Sequence, residues 1–410
     1  MNTRNHSGDF EQKISMQKKI AFSSIAVLLI FAFTELFAYL GLFALATFRN
    51  KVYEPIENTV ISEKDQAKIK QLISEDTVYY VHDPDLGWSI KPNGGNDEVK
   101  ANALGIRSSI EYTQTPPPNR IRIAAFGDSF THGDNVSNNQ TWETTLESLD
   151  SRLEVMNFGV GGYGPDQAYL RYKLQGKQTQ PNVVLIGFMS ENIYRIVNRF
   201  RPFYMPKTGL PLAKPRFILN GQALRLLPNP LPTLRSYEEL ISNPQDVLPQ
   251  LGVNDYHYSI AYQSGDLDLL ATVRLWKMGY SRIAEREPIR KWSGSYNPES
   301  EAFHLLVEIL SAFYAEVLQD GAIPIVVIFP NSRDMSTVLS GGSLCYLPLI
   351  DSLRQRGMRT IDGFSAFESV VSEESLKEVV SGHYTARGNA IFGRYLLKAL
   401  STEPLNVIDG

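Results

Sequence analysis

Five short apolar runs, each closed by a turn former and separated by longer stretches, constrain this chain more than any other feature. The runs are residues 121–126 (IRIAAF, then Gly127), 153–158 (LEVMNF, then Gly159), 183–188 (VVLIGF), 323–329 (IPIVVIF, then Pro330) and the weaker 358–361 (MRTI, then Asp362-Gly363). Short apolar runs bounded by glycine or proline read as buried strands. Residues 141–149, 167–174, 303–318, 347–356 and 386–400 carry amphipathic helix patterns between and after them. Strands alternating with helices predict an α/β fold, a three-layer, doubly wound parallel sheet of about five strands covered on both faces. The alternation breaks once, between the third and fourth strands. Residues 215–228 (PRFILNGQALRLLP) place Asn220-Gly221 between two strand-like arms, a hairpin signal. Residues 201–297 are therefore read as a large insertion, laid over one edge of the sheet.

A second feature stands near the N-terminus. In residues 20–48 the only charged side chain is Glu35. About 20 apolar residues at ~1.5 Å rise cross a bilayer, and a signal peptide's apolar region is about 7–15 residues. The run predicts an uncleaved single-pass transmembrane anchor, with membrane contact through residues 20–48. Arg4, Lys13, Lys18 and Lys19 favour a cytoplasmic N-terminal tail (1–19) and an extracytoplasmic remainder at the inner membrane. Glu35 reads either as a tolerated residue on one face or as a contact to a partner membrane helix. Residues 49–119 form a juxtamembrane linker and small β-rich lead-in, ended by Pro116-Pro117-Pro118. The main domain spans 120–400, and 401–410 is a C-terminal tail.

Composition excludes several classes. The formal net charge of -4 over 410 residues offers no basic face for nucleic acid. The one cysteine, Cys345, rules out an intrachain disulfide and a cysteine-based zinc cluster, and no HExxH occurs. No metal and no cofactor are expected.

In open parallel sheets, ligands bind beyond the carboxyl ends of the strands. There the chain places Gly127-Asp128-Ser129, the loop 157–164 (NFGVGGYG), Ser190-Glu191-Asn192 and Gly382-His383-Tyr384. Gly127 permits a tight strand-to-helix turn. Ser129 then sits at a helix N-terminus, where free N–H groups stabilise developing negative charge; Asp128 or Ser129 acting only as a cap is the bland alternative. The glycine-rich loop lacks GxGxxG spacing and the Lys-Ser/Thr of a P-loop, and better serves to bring a backbone N–H to a reacting carbonyl. Asn192 can add a side-chain amide, although an asparagine after a strand is commonly a turn residue. Of the six histidines, His6 precedes the membrane run, His257 lies in the insertion and His304 on a helix. His132, three residues after Ser129, points away from the in-line position. His82 remains a minor rival, and His383, in a loop before the last helix, is placed to reach over the sheet.

Together these residues resemble the SGNH (GDSL) hydrolase family. Gly127-Asp128-Ser129 matches its first block, and residues 157–162 resemble its second. Asn192 matches the third-block asparagine, and His383 the last-block histidine. The resemblance covers about 120–400 without the insertion. It implies an SGNH (flavodoxin-like) fold, Ser129 as nucleophile and His383 as base. It also implies an oxyanion hole of the Ser129 and Gly162 N–H groups with the Asn192 amide. Two positions depart: the family's Gly-Asn-Asp is Ser190-Glu191-Asn192 here, and the aspartate three residues before the histidine is Val380. Either the pair works as a dyad with a backbone carbonyl orienting the imidazole, or Glu378 or Asp362 serves. With the anchor, the resemblance implies an esterase acting on O-acyl, above all O-acetyl, groups of an extracytoplasmic polysaccharide or envelope glycan. The alternatives are an O-acyltransferase working with a membrane-protein partner and an inactive glycan-binding scaffold.

Overall fold

The computed structural model describes residues 16–402 and 405–408, apart from Lys207, Gln222, Arg286 and Glu373. His6 with the rest of residues 1–15, and residues 403, 404, 409 and 410 of the C-terminal tail, lie outside the described residues. The chain divides into two units: residues up to 55 with 262–284, and residues 56–261 with 285–410.

In the first unit, one helix runs over Met16–Arg49, and Ala38 is its only buried residue. It is long and apolar enough to cross a membrane by length and composition. It takes in Lys18 and Lys19, which the sequence reading assigned to the tail. A second helix, Ala271–Ala284, packs against it in the same unit. Glu35 accepts from the backbone N–H of Ala271 (2.6 Å) and Thr272 (3.3 Å), and from the Thr272 hydroxyl. The charge in the apolar run thus caps a helix of its own chain, satisfying donors that a helix N-terminus leaves open. Residues 262–284 separate from the rest of the predicted insertion for this reason.

Among the described residues, the second unit holds eleven strands. β1 (Tyr80–Asp83) and β2 (Gly87–Ile90) form an antiparallel hairpin. β3 (Ile121–Gly127), β4 (Leu153–Gly159) and β5 (Val183–Met189) are the first three predicted core strands. β6 (Arg216–Asn220) and β7 (Ala223–Leu227) make the predicted hairpin, with Gly221 at φ +64°. β8 (Ile323–Phe329) and β9 (Thr360–Asp362) complete the main sheet; β10 (Val380–Ser381) and β11 (His383–Tyr384) pair antiparallel. The main sheet is parallel throughout, in the order β4-β3-β5-β8-β9.

Alternate residues feed two cores, as the period of two requires. Ala124, Phe126, Met156, Phe158, Ile186 and Ile328 face the helices Pro165–Arg171, Glu301–Gln319 and Leu347–Gln355. Ile123, Ala125, Val155, Leu185 and Val327 face Trp142–Leu149 and Ala386–Ser401. This is the expected three-layer, doubly wound sheet.

Three details differ from the sequence reading. The last strand starts at Thr360, because Met358 donates to the Leu353 carbonyl behind Gly357 (φ +73°) and finishes the preceding helix. The insertion does not lie over a sheet edge. It joins β5 to β8, which are neighbours inside the sheet, and its part within the second unit covers the helices of one face, Phe217 stacking on Tyr169 at 5.9 Å. The lead-in shares the main core: Ile69, Leu86, Trp88 and Ile106 are buried in the cluster that holds Phe126 and Phe158.

Candidate active site

The nucleophile turn is built first. β3 ends at Gly127, where an added Cβ would lie 2.1 Å from the Gly187 carbonyl and 2.1 Å from Thr131 Oγ1. Only glycine allows the neighbouring strand to approach that closely. Asp128 caps the one-turn helix Ser129–His132, its Oδ1 accepting from the Phe130 N–H at 2.8 Å. Its Oδ2 accepts from the Met189 N–H (3.1 Å) and from Asn192 Nδ2 (2.6 Å), tying the end of β3 to the end of β5. Arg107 of the lead-in fixes the turn from behind, donating to the carbonyls of His132 (2.8 Å), Gly133 (2.5 Å) and Val136. Asn157 adds a bond from Nδ2 to the Thr131 carbonyl (2.9 Å) and accepts the Gly159 N–H (2.9 Å).

Ser129 and His383, 254 residues apart, meet here: His383 Nε2 lies 2.8 Å from Ser129 Oγ. β11 carries the imidazole over the sheet's carboxyl edge, and its ring centroid stands 5.2 Å from that of Phe130. His383 Nδ1 is buried and meets no acceptor among the described residues. Neither acid named from the sequence reaches it. Glu378 pairs with Arg387 at the surface, and Asp362 accepts from Tyr346 Oη (2.8 Å) and the Phe364 N–H (3.0 Å). Val380 is buried in the second core beside Val379 and Tyr384, an apolar place with no room for a free carboxylate.

A different carboxylate stands beside the pair. Asp134 Oδ2 is 3.9 Å from His383 Nε2, while its Oδ1 accepts from His132 Nδ1 at 2.5 Å. A carboxylate only accepts, so His132 carries its proton on Nδ1 and its Nε2 accepts the Tyr79 hydroxyl at 2.7 Å. Burial holds the His132 pKa below 6.5, against the opposing pull of Asp134, so the ring is neutral. Burial would raise the Asp134 pKa, but His132, with the bond to it, and then His383 and Arg107 outweigh burial and lower it. Sequence reasoning missed Asp134; its signal was the i+2 spacing from a histidine that follows the serine.

The glycine loop is held by its carbonyls. Gly161 accepts from Trp88 Nε1 (3.0 Å), Gly162 from an Arg201 terminal nitrogen (2.8 Å) and Tyr163 from an Arg195 terminal nitrogen (2.9 Å). Gly162 sits at φ +84°, a conformation that favours glycine, and its N–H meets no protein acceptor among the described residues. Arg201 is buried; burial, and then the charge of Arg195, pull its pKa down to about 9, so the guanidinium stays charged at neutral pH. Neither arginine was singled out from the sequence, and the lead-in segment Asp85-Leu86-Gly87-Trp88 was given no catalytic role. Asn192 is fully buried, and the bond to Asp128 sets its amide orientation, since only the NH2 side can face a carboxylate. Asp128 takes one of its two hydrogens.

Ser129, Asp134, Gly161, Gly162, His383 and Arg201 border a cleft of about 590 Å³, whereas Asn192 is buried and does not line it. The lead-in lends Lys68 and Tyr80 to its wall, and the insertion lends Met205 and Leu210. The other histidines lie elsewhere: His82 contacts the Leu231 carbonyl, His257 the Tyr194 carbonyl, and His304 is on an exposed helix face. No group of metal-ligating side chains occurs among the described residues.

No protein-family model matches the sequence, and no curated relative does. Among solved structures, the chain is similar to a member of the lipolytic protein G-D-S-L family from Veillonella parvula DSM 2008. That match has 10% identity, covers 68% of this chain and 98% of the other, and has a TM-score of 0.33. It is similar to the lipase/acylhydrolase from Enterococcus faecalis at 10% identity, covering 68% and 95%, TM-score 0.34. A GDSL-like lipase from Bacteroides thetaiotaomicron VPI-5482 matches at 11% identity, covering 71% and 92%, TM-score 0.33.

Proposed function

We propose that this chain is a serine-dependent acyl-ester hydrolase, held at the membrane by its N-terminal helix with the catalytic unit outside the cytoplasm. The observation that carries the reading is the 2.8 Å contact of His383 Nε2 with Ser129 Oγ in an open cleft, at a helix N-terminus. A hydroxyl at that distance can pass its proton to a neutral imidazole as it attacks.

Ser129 Oγ attacks the ester carbonyl carbon, and its proton moves to His383 Nε2. The carbonyl oxygen becomes an oxyanion, received by the N–H groups of Ser129 and Gly162, while Asn192 acts through Asp128, which its amide holds at the turn. The bond from carbon to the alcohol oxygen then breaks, and His383 returns the proton to the leaving alcohol. Water repeats the sequence on the acyl-serine and releases the acid. Among the described residues no carboxylate orients His383 through Nδ1; β-pairing and the Phe130 ring hold it. Asp134, on the Nε2 side, stabilises the imidazolium while Ser129 is acylated, and its bond to His132 keeps it ionised.

The substrate we assign is an O-acetylated polysaccharide or envelope glycan. An open cleft with Lys68, Glu191, Arg195 and Asn331 on its walls suits a polar chain bearing a small acyl group better than a long-chain lipid ester. The test is to incubate the protein in nanodiscs with chemically O-acetylated polysaccharide and measure released acetate beside Ser129→Ala. Release by the native chain alone supports the reading. Acetate moved to a second, unacetylated glycan instead of water makes it a transferase. Binding of glycan with neither outcome makes it a scaffold.

A further inference from the structure

The first unit contains a site that the catalytic reading does not use. Residues 20–48 extend about 43 Å as a helix, against a bilayer core of about 30 Å. Some 13 Å of apolar helix is therefore spare, and Glu35 shows at which end. Its bonds to Ala271 and Thr272 set the Ala271–Ala284 helix alongside the C-terminal part of the run, with Leu275 against Gly41 at 3.4 Å from an added Cβ. The two helices run on together to Arg49.

One face of the second helix packs on the first, and its other apolar side chains have no such cover. Trp276 stacks on Tyr280 at 5.0 Å, yet the two are 62% and 52% exposed, and Ile283, Leu267 and Leu269 are 77%, 62% and 77% exposed. Exposed Trp and Tyr beside an apolar span mark the level of lipid headgroups. Between the helices lies a cleft of about 650 Å³. Its apolar floor is Leu45, Leu275 and Met278, and its rim is Arg49, Lys51 and Arg282. None of these three cations meets a carboxylate among the described residues, whereas Lys277 on the same helix is paired with Asp268 at 2.6 Å.

We propose that this cleft binds an anionic phospholipid of the surrounding bilayer, its phosphate on Arg49, Lys51 and Arg282 and an acyl chain along Leu45, Leu275 and Met278. The Ala271–Ala284 helix then lies in the membrane interface as a second attachment. The proposal rests on reading residues 20–48 as a membrane anchor. The charge complementarity and the continuity with the apolar helix select a lipid over a soluble anion, which needs no apolar floor.

The test uses the full-length chain, labelled with a fluorophore at Ile283→Cys, in phosphatidylcholine vesicles. The vesicles carry nitroxide-labelled phosphatidylglycerol or nitroxide-labelled phosphatidylcholine at equal mole fraction. Cys345 is buried and its thiol is pushed up to about 12, chiefly by burial, so it stays unlabelled at neutral pH. The phosphatidylglycerol probe is expected to quench with at least about fivefold higher apparent affinity, the effect of one basic side chain at an anionic surface. Arg49→Gln with Lys51→Gln and Arg282→Gln should remove the preference. Equal quenching by both lipids, or a preference that survives the triple change, overturns the site. A label at Leu29→Cys serves as reference: if neither lipid quenches it, the anchor reading itself fails and this proposal with it.

Discussion

Asp134 places one carboxylate between two histidines, and each contact has its own consequence. At 3.9 Å from His383 Nε2, it would favour the imidazolium that the proposed mechanism forms as Ser129 is acylated. A partly exposed charge pair at that distance is worth about 1–2 kcal/mol after screening. Asp134→Asn is thus expected to lower kcat about five- to thirtyfold while leaving KM near its native value. An unchanged kcat would remove Asp134 from the chemistry. The burial of His132, which the contact to Asp134 opposes, bears on stability. The folded chain keeps His132 neutral below pH 6.5, where the unfolded chain takes up a proton. Stability is therefore complete above about pH 6.5 and declines as pH falls through it. His257, also lowered mainly by burial, adds to the same decline. His132→Gln should flatten the fall of Tm between pH 6.5 and 5; an unaltered slope would mean that His132 titrates alike in both states.

The element that shapes the site is the loop of residues 159–164, and three donors hold three successive carbonyls on it. Trp88→Phe keeps most of the ring packing but leaves the Gly161 carbonyl without its donor. An orphaned buried carbonyl costs about 1–3 kcal/mol. The expected result is a lower Tm together with a kcat reduced about tenfold; a lower Tm with full kcat would separate the loop's stability from its catalytic geometry. The glycines of this loop were legible in the sequence because their spacing is local. Their holders were not: Trp88, Arg195 and Arg201 are distant in the chain and become neighbours only when the lead-in and insertion pack on the sheet. The same reason hid the role of Glu35, whose partners Ala271 and Thr272 are 236 and 237 residues away. Glu35→Ala removes the acceptor for the start of the Ala271–Ala284 helix, so limited proteolysis should cut residues 262–284 faster. Unchanged cutting would show that packing alone secures that helix.

At the scale of the whole molecule, the sheet was readable because buried parallel strands are continuous apolar runs, and β3, β4, β5 and β8 follow them within a residue or two. β9 was displaced because helix capping claimed Met358. The meeting of Ser129 with His383 was also legible, since both stand beyond carboxyl ends of strands, where the topology gathers them. The missing acid was not, because the chain meets the imidazole from the nucleophile's side and fills the Val380 position with core. The central claim is that Ser129 is an activated nucleophile with His383 as its base. A fluorophosphonate probe tests it on the full-length protein beside Ser129→Ala and His383→Ala, each checked for native Tm. Labelling of the native chain is expected, with none of Ser129→Ala and a rate lowered at least about a hundredfold in His383→Ala. A folded native chain that does not label, or a His383→Ala variant that labels at the native rate, would contradict it.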